Sequence, residues 1–547
     1  MSGMKRLLLA WVVLSNRYPT MRFQLPPLLI AGLIVLAAPA FAKPEPDAFG
    51  NQIPDFSMAG YRHGGVALPV APVVERLQPV AGAKDDTDRI QAAIRRVAER
   101  PARPGDGVKG AVLLERGSYH CGKSLSVPPG VVLRGEGPEP AGTVMIATMV
   151  PTDGSSPTLI RVEGTGELRA VGDVHAIQDD KLPLGSKILR VRNASDFKSG
   201  DLVQVELTPN AEWIHDLKMD QIKLASGGKQ WTPSAYRTKW SARVLGVRED
   251  RIALDTPVIC AIEKRYGGGT LRKAVDSRQG GAGIENLRLE SVYQRGEEDS
   301  DERHAWNAIS VNRIVHSWIR EVIAVHFANA CVSTSKSAAC ITVQDCAMLD
   351  PVSKIAGGRR YSFIGGGQFV LFQRCYARNG RDDFVTGHLD VGPTVFLDCL
   401  AEKTHSDIGP HHRWACGQLY DNVRGGRINV QDRGPSGTGH GWAGNCQVLW
   451  NCVAETIVCQ KPWLASTQNW AVGCTARDGK PALTGRPDGV TWQPNNPVTP
   501  RSLYLDQLAA RITRQGGDGA AAVRAVTIPE QTKGPVWPLL QRRYQAE

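Results

Sequence analysis

Between residues 283 and 476 the apolar positions fall into a recurring phrase: VQDCAM, FQRCYA, FLDCLA, LWNCVA and AVGCTA. Its anchors are Cys346, Cys375, Cys399, Cys452 and Cys474, and two weaker copies fit with Trp318 in VHSWIRE and Asn422 in LYDNVR. The anchors recur every ~26 residues, too short for a strand–helix–strand crossover and right for one three-sided turn of a β-solenoid. Three places before each anchor stand Val315, Val343, Phe372, Phe396, Leu419, Leu449 and Ala471, which predicts a continuous inward stripe. The pattern predicts an all-β fold, a right-handed single-stranded parallel β-helix whose coils pair at ~4.8 Å.

Earlier runs extend this reading. AVLLERGSYH, SLSVPPGVVLRGEG and TLIRVEG are strand-like segments punctuated by glycine, and Asp85 to Asp88 precede Ile90, Ile94 and Val97 at helical spacing. A short amphipathic helix is therefore expected to cover one end of the solenoid. Residues 172–282 break the rhythm: KILRVRNASDFKSGDLVQVE, RVLGVREDRIALDTPV and a Trp-rich stretch from Trp213 to Trp240 predict a small β-rich insertion on the rim, with irregular coils as the alternative. The first 42 residues carry only Lys5, Arg6, Arg17 and Arg22 as charges, then an apolar run from Leu28 to Ala38 and Ala40-Phe41-Ala42. That is the form of an export signal cleaved after Ala42, its apolar run being short of the ~20 residues a spanning helix needs. The expected organisation is a signal peptide over 1–42, an N-terminal cap and first coils over 43–171, the insertion over 172–282, the main β-helix over 283–476 and a C-terminal extension over 477–547. A periplasmic or secreted monomer without stable membrane insertion follows.

Composition narrows the partners. The 547 residues hold 65 Lys+Arg against 54 Asp+Glu, a formal net charge of +11, without a Lys/Arg-rich run. This favours an acidic extracellular polymer over nucleic acid. Of the 12 cysteines, five share one register and are expected to stack inside as small apolar side chains. Cys416 with Cys446 and Cys331 with Cys340 are the pairs the spacing leaves for a bridge, and no C-x-x-C pair suggests zinc.

Equal offsets on successive coils become neighbours in space, so repeated outward polar positions locate a site. His388 lies 11 before Cys399, His411 lies 11 before Asn422 and His440 lies 12 before Cys452, which predicts a histidine column. Asp390 and Arg413 share another offset, as do His412 and Trp442. The coil before adds Arg359, Arg360 and Tyr361, and the coil after adds Lys461 and Trp463. Such a strip of cations and aromatic faces suits an elongated polysaccharide groove.

The AGYRHGG and DDTDRIQAAI opening, the GAVLLERGSYH and LSVPPGVVLRGEG coils and the Cys-anchored repeats resemble the pectate-lyase superfamily of right-handed β-helices over most of 55–476. HHRWACGQLYDN, GTGHGWAGNCQVLWNC and QNWAVGC are similar to a bacterial branch of secreted, lyase-like members for which no catalytic assignment carries over. The resemblance implies the fold; hydrolases, esterases and phage tailspikes share it, so function must come from the site.

A uronate lyase needs a neutraliser for the carboxylate, a base for the C5 proton and an acid at the leaving oxygen. Arg413, helped by Arg433 or His412, suits the first role, His411 or His440 the second and Tyr361 the third. Arg359, Arg360, Asp382, Asp383, His388, Asp390, Arg433, Trp442, Lys461 and Trp463 are the expected substrate-binding set. No cofactor is expected; calcium through Asp382, Asp383, Asp390 and Asp407 would require a loop that the sequence lacks, and a transition metal on the histidines is a further alternative. An inverting glycoside hydrolase is the rival class, because Asp382-Asp383 in GRDDFVTG and Gly439-His440-Gly441 resemble polygalacturonase motifs. Those motifs lie two coils apart here instead of one, and the family's Asn-Thr-Asp motif is missing. A non-catalytic glycan binder is the third class.

Overall fold

The computed structural model describes residues 43–547 apart from 153 and 546; the proposed export segment lies outside the described residues. Three ladders of parallel strands wind along the chain and make the β-helix. The first runs from Val73–Leu77 through Ala339–Gln344, Gln368–Gln373, Val391–Leu397, Ala415–Asp421 and Gly444–Trp450 to Val490–Trp492. The second includes Ala347–Leu349, Tyr376–Arg378, Leu400–Glu402, Arg424–Val430 and Val453–Cys459. The third is made of short strands, among them Phe363–Gly365, Phe384–Thr386 and Gly409–Pro410.

The recurring phrase is a bend between the first two ladders. Glu321, Asp345, Arg374, Asp398, Asn422, Asn451 and Gly473 each adopt a left-handed backbone with φ between 50° and 66°. This conformation suits Gly, Asn and Asp and turns the strand in one residue. The residue after each is buried: Val322, Cys346, Cys375, Cys399, Val423, Cys452 and Cys474 form the anchor row. Register confirms the spacing, since Ile323 pairs with Ala347 and Leu397 with Asp421. The two weak anchors are therefore misplaced: Val322 replaces Trp318, and Val423 replaces Asn422. The inward stripe accordingly holds Ile319 and Tyr420 instead of Val315 and Leu419. Phe372 stacks on Phe396 at 4.9 Å and Phe396 on Tyr420 at 5.1 Å, both nearly parallel. Phe396→Ala should cost about 3–5 kcal/mol of stability by opening a cavity in this stack; equilibrium denaturation would register it as a lower midpoint.

The helix Thr87–Ala98 packs Ile90, Ala93, Ile94 and Val97 onto the first coils, and Asp85 Oδ1 accepts from Thr87 N at its start. The segment between Leu168 and Asp276 forms an antiparallel six-stranded sheet apart from the coils. A second apolar cluster joins it to the outer face of the first ladder, with Trp213, Trp231 and Trp240 beside Trp414, Trp442 and Trp450. C-terminal helices lie against the outer face of the bend row, where Tyr544 stacks on Tyr376 at 5.2 Å and Arg501 pairs with Asp398.

The five repeat cysteines are buried in the interior. Neither expected bridge is formed among the described residues. Cys331 belongs to the interior cluster, whereas Cys340 faces out beside His63, which sets that pair on opposite sides of the wall. Cys416 instead approaches Cys260 of the inserted segment, with sulfurs 2.8 Å apart.

Candidate functional site

The third ladder and the turn that follows it carry the polar cluster. Leu389 and Arg413 both take left-handed backbones, and Leu389 N donates to Arg413 O, so the preceding residues of these two coils, His388 and His412, come into register. His388 and His412 rings stack at 6.4 Å, and His412 meets His440 at 5.0 Å. The column is therefore His388–His412–His440. His411 stands beside it, 5.3 Å from His440, because the true anchor of its coil is Val423 and every offset moves by one.

His411 is buried and fully engaged. Arg433 Nη1 lies 2.9 Å from Nδ1, and Tyr361 Oη lies 2.9 Å from Nε2. A guanidinium can only donate, so Nδ1 is the acceptor and Nε2 carries the hydrogen given to Tyr361. Arg381 Nη2 also donates to Tyr361 Oη at 3.0 Å. With two donors on its oxygen, the phenol must send its own proton elsewhere, and no described carbonyl or carboxylate takes it. Burial pushes the Tyr361 phenol up to about 12, ahead of the effect of Asp382, so it holds that proton through the neutral range.

The other histidines are neutral. Burial lowers His412 to about 3, helped by His411 and His440, and lowers His440 and His388 to about 4, helped by neighbouring cations. His412 Nδ1 and His440 Nδ1 are buried without a partner, and the His440 ring lies against Gly437. Arg413 Nη2 donates to Thr438 O at 2.7 Å and to Thr438 Oγ1, holding the 436–439 turn against the row. Tyr236 of the insertion sets its ring 5.8 Å from His388 and stacks on Trp231 at 3.9 Å, forming the facing wall. Beyond His388, a cavity of about 350 Å³ opens between insertion and coils, lined by Arg237, Lys239, Arg278 and Lys336 among others.

The carboxylates lie beneath this surface. Asp382 is 1% exposed, with Arg381 Nη2 at 2.6 Å and His411 Nδ1 at 3.7 Å. Burial opposes the charge on Asp407, but Arg433, Ser406 and Asn429 hold it below the usual carboxylate range. Asp383 accepts from Ser362 at 2.6 Å, and burial pushes it up to about 7. Asp390 accepts from Gly387 N, and burial pushes it up to about 6. Asp382, Asp383 and Asp390 thus support turns and neighbours and do not line a groove, and Asp390 makes no ion pair with Arg413 among the described residues.

Several expected binding residues are engaged elsewhere. Arg360 is 1% exposed and donates to Glu298 O, Asp299 and Ser353 O. Arg359 pairs with Glu302 and covers Trp306. Trp442 is fully buried, its indole donating to Leu217 O under the insertion. Lys461 bonds Leu464 O and Thr467 O of its own loop. Trp463 lies under Lys218, 3.6 Å from its ring centre, at a separate cavity with His215 and Tyr266. Conversely, Arg381, Lys336 and Tyr236 join the site without having been expected. Arg381 is signalled only by its place in GRDDF, and nothing in the chain links Tyr236 to residues 150 positions away.

The buried histidines make stability pH-dependent. Their folded values lie below the unfolded 6.5, so their contribution is complete above pH 6.5 and is lost as pH falls through about 4. Asp383 and Asp390, raised by burial, act oppositely and lose theirs as pH rises from about 4 to about 7. His412→Gln should therefore flatten the fall in Tm between pH 6.5 and 4 relative to the parent protein, as thermal melts across that range would reveal.

No family model matches the chain, and no curated protein does. Solved structures similar to it include pectate lyase Pel9A, at 10% identity and TM-score 0.38, covering 80% of this chain and 82% of that one. The catalytic unit of a GH87 α-1,3-glucanase from Streptomyces thermodiastaticus is similar at 10% identity and TM-score 0.36, covering 79% and 71%. The Gp54 tailspike of Acinetobacter baumannii bacteriophage AP22, solved with a capsular saccharide, is similar at 10% identity and TM-score 0.33, covering 76% and 67%. At these values the likeness carries no functional argument, which must come from the site itself.

Proposed function

We propose that the protein is an exported polysaccharide lyase that cleaves a uronate-containing, acidic polysaccharide by β-elimination. The observation that carries this reading is the Arg433–His411–Tyr361 chain, which leaves the phenolic proton free at a His411 ring that itself meets His412 and His440. In the proposed step His440 takes the C5 proton, the C–H electrons form the C4–C5 double bond, and the C4–O bond breaks. The departing oxygen takes the proton of Tyr361. Arg381 stabilises the phenolate so formed, and His411 Nε2–H bonds it. Arg413 Nη1 and Arg433 Nη2 have no described partner and suit the uronate carboxylate, whose charge raises the basicity of the adjacent histidines.

The carboxylates favour elimination over hydrolysis. An inverting pair needs ~6.5–9.5 Å between its groups and a retaining pair ~5–5.5 Å, both facing the bond to be cleaved, whereas Asp382 is 1% exposed and Asp383 is buried and turned to Ser362. The test is digestion of pectate, alginate, hyaluronan, glucuronan and sulfated uronate polymers. Elimination creates an unsaturated uronate that absorbs in the ultraviolet. New reducing ends without that absorbance would identify a hydrolase, and neither product would identify a binder.

A further inference from the structure

We propose that Cys260 and Cys416 form a disulfide in an oxidising compartment and so staple the inserted sheet to the β-helix beside the histidine row. The proposal rests on the reading that the chain is exported. Cys260 follows the strand Arg251–Leu254 of the insertion, and Cys416 lies in Ala415–Asp421, four residues after His412. Their sulfurs are 2.8 Å apart, inside the ~3.5–4.0 Å of ordinary heavy-atom contact. Both side chains are buried, so solvent does not separate them.

The backbones meet closely at this point for a visible reason. Gly417 has φ +81°, and a Cβ there would stand 2.9 Å from Ile259, the residue before Cys260. A glycine beside one cysteine thus lets the other chain approach to bridging distance. Cys446, one coil further along, is also buried in this cluster, but the short contact of Cys416 is to Cys260.

The chemistry balances as thiol–disulfide exchange with a small disulfide donor such as oxidised glutathione. One cysteine thiolate attacks the donor and expels a thiol, then the second cysteine attacks the mixed disulfide and expels another. The protein loses two hydrogens and two electrons, and the donor becomes two thiols. Burial pushes the Cys416 thiol well up in the folded protein, so exchange belongs to the period before the cluster closes, and the finished bridge is shielded from reductant. Its consequence is local. The same insertion packs Trp213 and Trp231 on Trp414 and places Tyr236 beside His388, so the staple fixes the wall facing the histidines.

The experiment is cell-free synthesis of the full chain in a glutathione-buffered oxidising medium with a disulfide isomerase, followed by alkylation in denaturant and peptide mapping without reduction. The expected result is a linked peptide pair carrying Cys260 and Cys416, absent when synthesis is run with dithiothreitol. Cys260→Ser should abolish the linkage and Cys446→Ser should retain it. Full alkylation of both cysteines, or a linkage of Cys416 to Cys446, would overturn the proposal. Export is read separately, from the N-terminus of the protein recovered from cells, so failure of export and failure of the bridge give different results.

Discussion

Tyr361→Phe will lower kcat on the cleaved uronate polymer by roughly 10²–10⁴-fold, the span expected when a positioned proton donor is lost, with little change in KM. The substitution removes one oxygen and keeps the ring that packs against His411 at 5.1 Å and under Arg381 at 5.1 Å. His411 Nε2 and Arg381 Nη2 lose their shared acceptor, which costs some stability, so the variant's unfolding midpoint should be measured beside its rate. The decisive signature is substrate dependence. A substrate whose leaving group needs no proton should be cleaved nearly as well by the variant as by the parent. Equal losses on both substrates would mean that Tyr361 only positions His411.

His440→Ala will cost a similar factor of roughly 10²–10⁴ in kcat, and added imidazole will restore part of it. His440 has no side-chain hydrogen bond among the described residues, and its ring lies against Gly437 of the 436–439 turn, so truncation leaves space for the small base without exposing another donor. Full activity of both His440→Ala and Arg413→Ala would remove this row from the mechanism. His411→Ala behaves differently: both its nitrogens are bonded, so it should disturb Tyr361 and Arg433 together and resist imidazole rescue.

The rival carboxylate mechanism makes an opposite forecast. Were Asp382 and Asp407 an acid and base flanking a glycosidic bond, Asp407→Asn would abolish turnover outright. In the elimination reading Asp407 acts through Arg433, which lies 3.9 Å away, and its loss should chiefly raise KM for the anionic chain.

The coil length and the cysteine row were legible because a solenoid repeats one environment, so the same side chain recurs at the same place. The sequence pattern places the weak anchor one residue early because Asn422 occupies a left-handed bend where Asn is common, while the buried position passes to Val423. That single step exchanged His411 for His412 in the column. Trp442 and Arg360 are buried for a related cause: position on a coil tells which way a side chain leaves the wall, but not whether an insertion or loop covers it.

The chain alone therefore determined the winding, the inward apolar stripe and the concentration of histidine and arginine on one side of a few coils, since each follows from short-range periodicity and burial. Only the tertiary structure decided which nitrogen of His411 bears its hydrogen, that Asp382 and Asp383 are buried beneath the row, and that Tyr236 and Cys260 arrive from the insertion. Those features depend on contacts between segments 20 to 160 residues apart, whose meeting is fixed by packing of one folded layer on another and leaves no period in the text.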